Sequence, residues 1–194
     1  MSTQLADTGA YFSKSWDLRK FAQEVHSTNV KAGWWGNATE KTIRDSMNTK
    51  LMLVLSELSE ALEADRKNLG SCKHLPHRES FDTELADALL RTLDIVVASG
   101  RNVDTVLPFH RPGMVKAVAS MTSKLAVEPV PACLWHVSKA ITAETYGLAV
   151  AQILAISVLR GVCVVEVARE KMAYNKTRVD HTKEAREGKN GKKY

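Results

Sequence analysis

Four acidic side chains, Glu57, Glu60, Glu84 and Asp87, stand in two pairs: E-x-x-E in "SELSEA" and E-x-x-D in "ELAD", with 23 residues between them. At 100° per residue, Glu57 and Glu60 share a narrow helical stripe with Leu53 and Ala64, and Glu84 and Asp87 share one with Arg91 and Asp94. Both stripes lie in leucine-rich runs, where an ionised carboxylate is costly unless it is paired or holds a metal. Four such groups brought together form a cage of hard oxygen ligands suited to Mg²⁺ or Mn²⁺. A lone E-x-x-E says little, because "EARE" at Glu184 and Glu187 makes the same match in a charged tail. Two pairs, each embedded in an apolar helix, say more.

The elements that must position these acids read as helices. Apolar residues recur with a period near 3.6, and no segment alternates with period two. The pattern predicts a first helix from about Ser15, as N-cap, to Lys31, then helices over 45–66 and 80–99. Beyond a cluster of prolines (Pro108, Pro112, Pro129, Pro131) come 114–127, 132–146, 148–159 and 162–178. Gly33, Gly36, Gly100, Gly147 and Gly161 are read as helix boundaries. "DIVVAS" and "GVCVVEV" have strand-like composition but continue helical periods. The expected fold is all-α: a helical bundle with a four-carboxylate metal site between two antiparallel helices, joined by the polar loop "NLGSCKHLPHR". A shift of 61 residues sets "LDIVVASGRNVDTV" over "LAISVLRGVCVVEV", pairing Ile95 with Ile156 and Gly100 with Gly161, as in a degenerate repeat or a chance likeness of two apolar helices.

At 194 residues, 44% hydrophobic and 25% charged, the chain has the composition of one ordinary globular domain. Three scattered cysteines (Cys72, Cys133, Cys163) form neither a disulfide framework nor a zinc motif, and no stretch reaches the roughly 20 apolar residues of a membrane span. A cytoplasmic protein with no membrane partner is expected. The net charge of +5 is accounted for entirely by residues 169–194, with nine Lys/Arg against four Asp/Glu. Residues 182–194 read as a basic, flexible tail; aromatics do not alternate with its charges, so no nucleic-acid partner is expected.

These motifs resemble those of the MazG-like all-α nucleoside triphosphate pyrophosphohydrolases, relatives of the dimeric dUTPases and dCTPases. The resemblance extends to "AGWWG", "KLMLVLSELSEALEADRKNL", "KHLPHR" and "EKMAYNKTRVDH", and covers core motifs in 16–107 and 163–181 of one 1–194 domain. Residues 108–160 depart from the short members and read as a helical insertion or a degenerate repeat. The resemblance implies Mg²⁺-dependent hydrolysis of a (deoxy)nucleoside triphosphate to the monophosphate and pyrophosphate, with Mn²⁺ as a substitute. It makes Glu57, Glu60, Glu84 and Asp87 the metal ligands, with Glu57 the group that orients or deprotonates the attacking water. Lys50, Arg91, Lys171 and Arg178 are candidate phosphate contacts, and Asn175 shares a helix face with the last two at i, i+4 and i+7. Trp34 and Trp35 are candidate base contacts, one of which could equally be core. Asp94 is a candidate supporting acid, while Glu63 is peripheral. A homo-oligomer, with a dimer favoured over a tetramer or fused pseudo-dimer, is also implied.

Two other functions fit parts of the pattern. A di-iron carboxylate bundle wants E-x-x-H on paired helices, which this chain lacks. A non-catalytic nucleotide-binding or helical assembly protein would use 108–160 and the basic tail for partners.

Overall fold

Polar caps and apolar periodicity between them organise the chain into helices, as seen in a computed structural model that describes residues 17–107 and 112–188, without the side chains of 112–115, 117, 186 and 187. The helices are α1 (Leu18–Lys31), α2 (Glu40–Arg66), α3 (Ser80–Ala98), α4 (Val103–Val106), α5 (Pro112–Leu125), α6 (Val130–Thr142), α7 (Tyr146–Leu159), α8 (Val164–Thr177) and α9 (Lys183–Glu187), with a 3-10 turn at Val179–His181. Among the described residues no strand forms; the nearest approach is an isolated antiparallel bridge, Ser71 to Glu79, within the loop that joins α2 and α3.

The helix α3 lies at the centre. Phe81, Leu85, Leu89 and Leu93 are buried on one side, and Ala86, Ala88 and Val96 fill the rest, so α2, α1, α8 and α7 all pack on it. Leu18, Phe21, Ala22 and Val25 supply the inner face of α1, and Val54, Leu58, Ala61 and Ala64 that of α2. Burial of each large aliphatic side chain contributes about 1.5–3 kcal/mol, the main term holding these helices against α3. The helix α7 is buried nearly all round, between α5, α6 and α3, and α6 also packs on α2. From Val118 to Ile156, buried residues of α5, α6 and α7 thus share a single hydrophobic cluster with the helices that carry the acids.

Several boundaries differ from the periodicity. Ser15 lies outside the described residues; the cap that closes α1 is Asp17, whose carboxylate accepts from the N–H groups of Arg19 and Lys20. The helix α2 starts at Glu40 rather than near Asp45, because Thr39 accepts from the Thr42 N–H and nucleates a polar first turn that has no apolar period to read. Gly147 is not a boundary. It sits in the first turn of α7, where a Cβ would come within 2.2 Å of the Val106 carbonyl oxygen, so the missing side chain lets α7 approach the end of α4. In "GVCVVEV" the helix α7 ends before Gly161 and α8 begins at Val164. In the repeat register, Gly100 (φ 67°) and Gly161 (φ 71°) both follow helix ends, and the next helices begin at Val103 and Val164.

No single helix among the described residues is long and apolar enough to cross a membrane. The three cysteines are free thiols, two of them buried.

Candidate functional site

The helices α2 and α3 pack on one another, and across their contact Glu57 meets Arg91 while Glu57 and Glu60 both lie beside Glu84. One carboxylate oxygen from each of Glu57, Glu60 and Glu84 falls within 4.8 Å of the others, a spacing that could hold a metal ion. Glu57 is buried, Glu84 half-buried and Glu60 exposed, so the cluster has one side open. Asp87 stands next to it but turns to Lys171 of α8, Oδ2 to Nζ 2.7 Å. Three of the four acids singled out in the sequence therefore converge, and the fourth is paired with a buried cation.

The electrostatics follow from packing like charges out of water. Burial, reinforced by the charge of Asp87, pushes Glu84 up to about 7, and Lys171 offsets part of that rise. Glu57 is also raised, by burial first, against the pull of Arg91, whose Nε donates to its Oε1 at 2.6 Å. Burial raises Asp87 as well, with Lys171 opposing it. Lys171 itself is held above its ordinary value: burial disfavours its charge, but Asp87 and Glu84 outweigh that. Arg91 thus has a first task other than the phosphate contact expected of it, namely fixing one oxygen of Glu57.

These groups line one cavity of about 690 Å³, within the roughly 300–1,000 Å³ typical of small-molecule sites. Its acidic part carries Glu57, Glu60, Glu84 and Asp87; its other walls carry Trp34, Lys50, Lys171, Asn175 and Arg178. Lys50 is buried, donates to the Trp34 carbonyl at 2.7 Å and lies 5.7 and 5.0 Å from the Trp34 and Trp35 ring centres. Lysine there braces the tryptophan turn as well as charging the cavity. The guanidinium of Arg178 forms a two-point ion pair with Asp180, Nε 3.0 Å and Nη2 2.7 Å.

The two tryptophans separate. Gly33 (φ 77°) and Gly36 (φ 58°) bracket them in left-handed conformations that only glycine adopts without strain, and the turn sends one ring each way. Trp34 reaches the cavity wall. Trp35 is 1% exposed, and its indole N–H donates to both oxygens of Asp94 at 3.0 Å. That places Trp35 in the core, where it has no open face to offer a base. Asp94 also accepts from His26 Nδ1 and from Asn29 Nδ2, both at 2.6 Å. Its carboxylate is thereby spent on tethering α1 and the tryptophan turn to α3 rather than on supporting the metal ligands. Glu63 points outward, paired with Arg66 at 2.6 Å and with Lys67.

Sequence reasoning missed His74, Tyr174 and His181. His74 lines the cavity from the loop between α2 and α3, its Nδ1 2.9 Å from the Tyr174 hydroxyl and its ring stacked on that of Tyr174. Burial, with Lys171, Arg178 and Lys73 nearby, lowers its basicity. The loop is tied to α8 by Arg78 and His77, which both meet Glu170; these hydrogen bonds, Arg78 first, pull Glu170 down to about 2. The signal lay in "KHLPHR", but the histidines have no ligand spacing along the chain, and only the loop's attachment to α8 brings one of them to the site.

No protein-family model, curated protein or solved structure matches this chain. Fold and site together define an all-α protein with a partly buried carboxylate cluster able to hold a metal ion.

Proposed function

We propose that this chain is a Mg²⁺-dependent nucleoside triphosphate pyrophosphohydrolase of the MazG-like kind, releasing a nucleoside monophosphate and pyrophosphate. The observation that carries the reading is one cavity in which three clustered carboxylates face lysines, an arginine and an indole. The donor set fits the ion: all three atoms are carboxylate oxygens, and a dication would relieve their mutual repulsion. Glu57, Glu60 and Glu84 would hold it, with Asp87 completing a four-carboxylate site. When bound, a divalent cation supplies charge neutralisation at the phosphoryl group under attack.

The protein's own residues do the rest. Lys171 and Arg178 meet phosphate oxygens, and the face of Trp34 suits a base. Arg91 holds Glu57 in one orientation, a positioning role. Water attacks the α-phosphorus, the bond from that phosphorus to the bridging oxygen breaks, and pyrophosphate leaves with the bonding electrons. The water's proton passes to Glu57, which Arg91 fixes through one oxygen. A homodimer in the cytoplasm is part of the same proposal.

The test is a panel of canonical and modified triphosphates with Mg²⁺, separating monophosphate and pyrophosphate from diphosphate and phosphate. Diphosphate as the product, or no turnover with any member of the panel, would sink the proposal.

A further inference from the structure

Residues 182–194 read from the sequence as a tail with no task; in the fold Thr182, Lys183 and Glu184 follow Arg178 and His181 along the cavity. The helix α8 stops at Thr177, Arg178 is extended (φ −80°, ψ 126°), and the chain turns through Val179–His181 into α9. Side chains within the segment fix that turn. Arg178 clasps Asp180, the Thr182 hydroxyl donates to the Val179 carbonyl at 3.0 Å, and Thr182 Oγ1 accepts from the Ala185 N–H at 3.2 Å. As a result His181, Thr182, Lys183 and Glu184 all line the cavity. The His181 ring meets Trp34 edge to face, centres 5.4 Å apart at 75°. Trp34 comes from the turn after α1, so the segment links the α8 wall to the α1 wall and puts an aromatic pair and a further lysine on the same cavity.

We infer that residues 178–184 form a nucleotide-contacting strap, in which His181 with Trp34 packs on the base and Lys183 meets the polyphosphate. The inference rests on the proposed function and extends it: the ligand is a whole nucleoside triphosphate, held at its aromatic and anionic ends by residues outside the carboxylate motifs. An indole and imidazole pair recognises a planar π-system, while an ammonium on the same segment recognises phosphate charge.

Calorimetric titration of the full chain with α,β-methylene nucleoside triphosphates and Mg²⁺ tests it. His181→Ala and Lys183→Ala are each expected to weaken binding about tenfold, the loss of one charge-assisted or aromatic contact, with the ligand-free thermal midpoint unchanged. Inorganic tripolyphosphate is expected to bind more weakly than the nucleotide and to be weakened by Lys183→Ala alone. In the unaltered protein, saturating nucleotide is expected to slow tryptic cleavage after Lys183 by about tenfold, since a contacted segment opens less often. Undiminished binding by both variants, equal affinity for tripolyphosphate, or cleavage unaffected by nucleotide overturns the strap and leaves the proposed hydrolysis standing. Failure of the unaltered protein to bind any nucleotide overturns both.

Discussion

Lys171 Nζ lies 2.7 Å from Asp87 Oδ2, and the two side chains are only 6% and 16% exposed. This contact joins α8 to the acid-bearing α3 and sets the charge balance of the cavity. Removing one partner of such a pair leaves the other as an uncompensated charge, whereas an exposed pair would contribute little. Lys171→Met is expected to destabilise the fold by roughly 3 kcal/mol. A urea midpoint equal to that of the unaltered protein would show that the pair contributes nothing to stability.

Loss of a carboxylate should separate catalysis from folding. Glu60→Gln keeps side-chain shape and removes charge, so helical circular dichroism is expected to stay unchanged while triphosphate turnover falls by roughly 100-fold or more. Asp87→Asn is expected to lose turnover likewise and also to lower the urea midpoint, because it leaves Lys171 without its partner. Glu63→Gln, outside the cluster and paired with Arg66 and Lys67, is expected to turn over normally. Normal turnover by Glu60→Gln or Asp87→Asn refutes the four-carboxylate site.

Cation affinity is expected to depend on pH through Glu84. Its carboxyl is raised from an ordinary 4.5 to about 7, mainly by burial and then by Asp87, so at pH 6 a cation must displace a proton. Mn²⁺ binding followed by electron paramagnetic resonance is expected to weaken by up to about tenfold for each pH unit below 7. The sign for stability follows from the same shift. Between pH 4.5 and 7 the folded state binds more protons at Glu84 than the unfolded state, so this group's contribution to the metal-free fold declines as pH rises and is restored by added cation. A flat affinity between pH 5.5 and 8 would mean that no proton leaves Glu84 when the cation binds.

The Asp94 hub makes a prediction away from the chemistry. Asp94→Ala leaves donors on His26, Asn29 and Trp35 without their acceptor, at about 1–3 kcal/mol for each one that stays buried. The expected result is a lowered thermal midpoint and a red-shifted tryptophan emission as Trp35 becomes wetter. An unchanged emission maximum would mean that Asp94 does not hold the turn in place.

The sequence by itself determined the helical class and the two acid pairs, from which Glu57, Glu60 and Glu84 cluster. Those follow from short-range regularities: a 3.6-residue period and spacings of three and four put side chains on one face wherever the helix ends up. It also separated Glu63 from its neighbours, because 60° of rotation carries that side chain off the stripe. The tertiary structure alone decided what each group meets. Whether Asp87 joins the cluster or pairs with Lys171, whether Asp94 supports ligands or tethers α1, and which tryptophan is open all depend on packing between helices distant in sequence. Burial, which raises Glu84 and Glu57, is likewise a property of the assembled core. Thr182, Lys183 and Glu184 have the mixed charges of a solvated tail, and only packing between residues far apart in the chain, such as His181 and Trp34, brings them to the cavity.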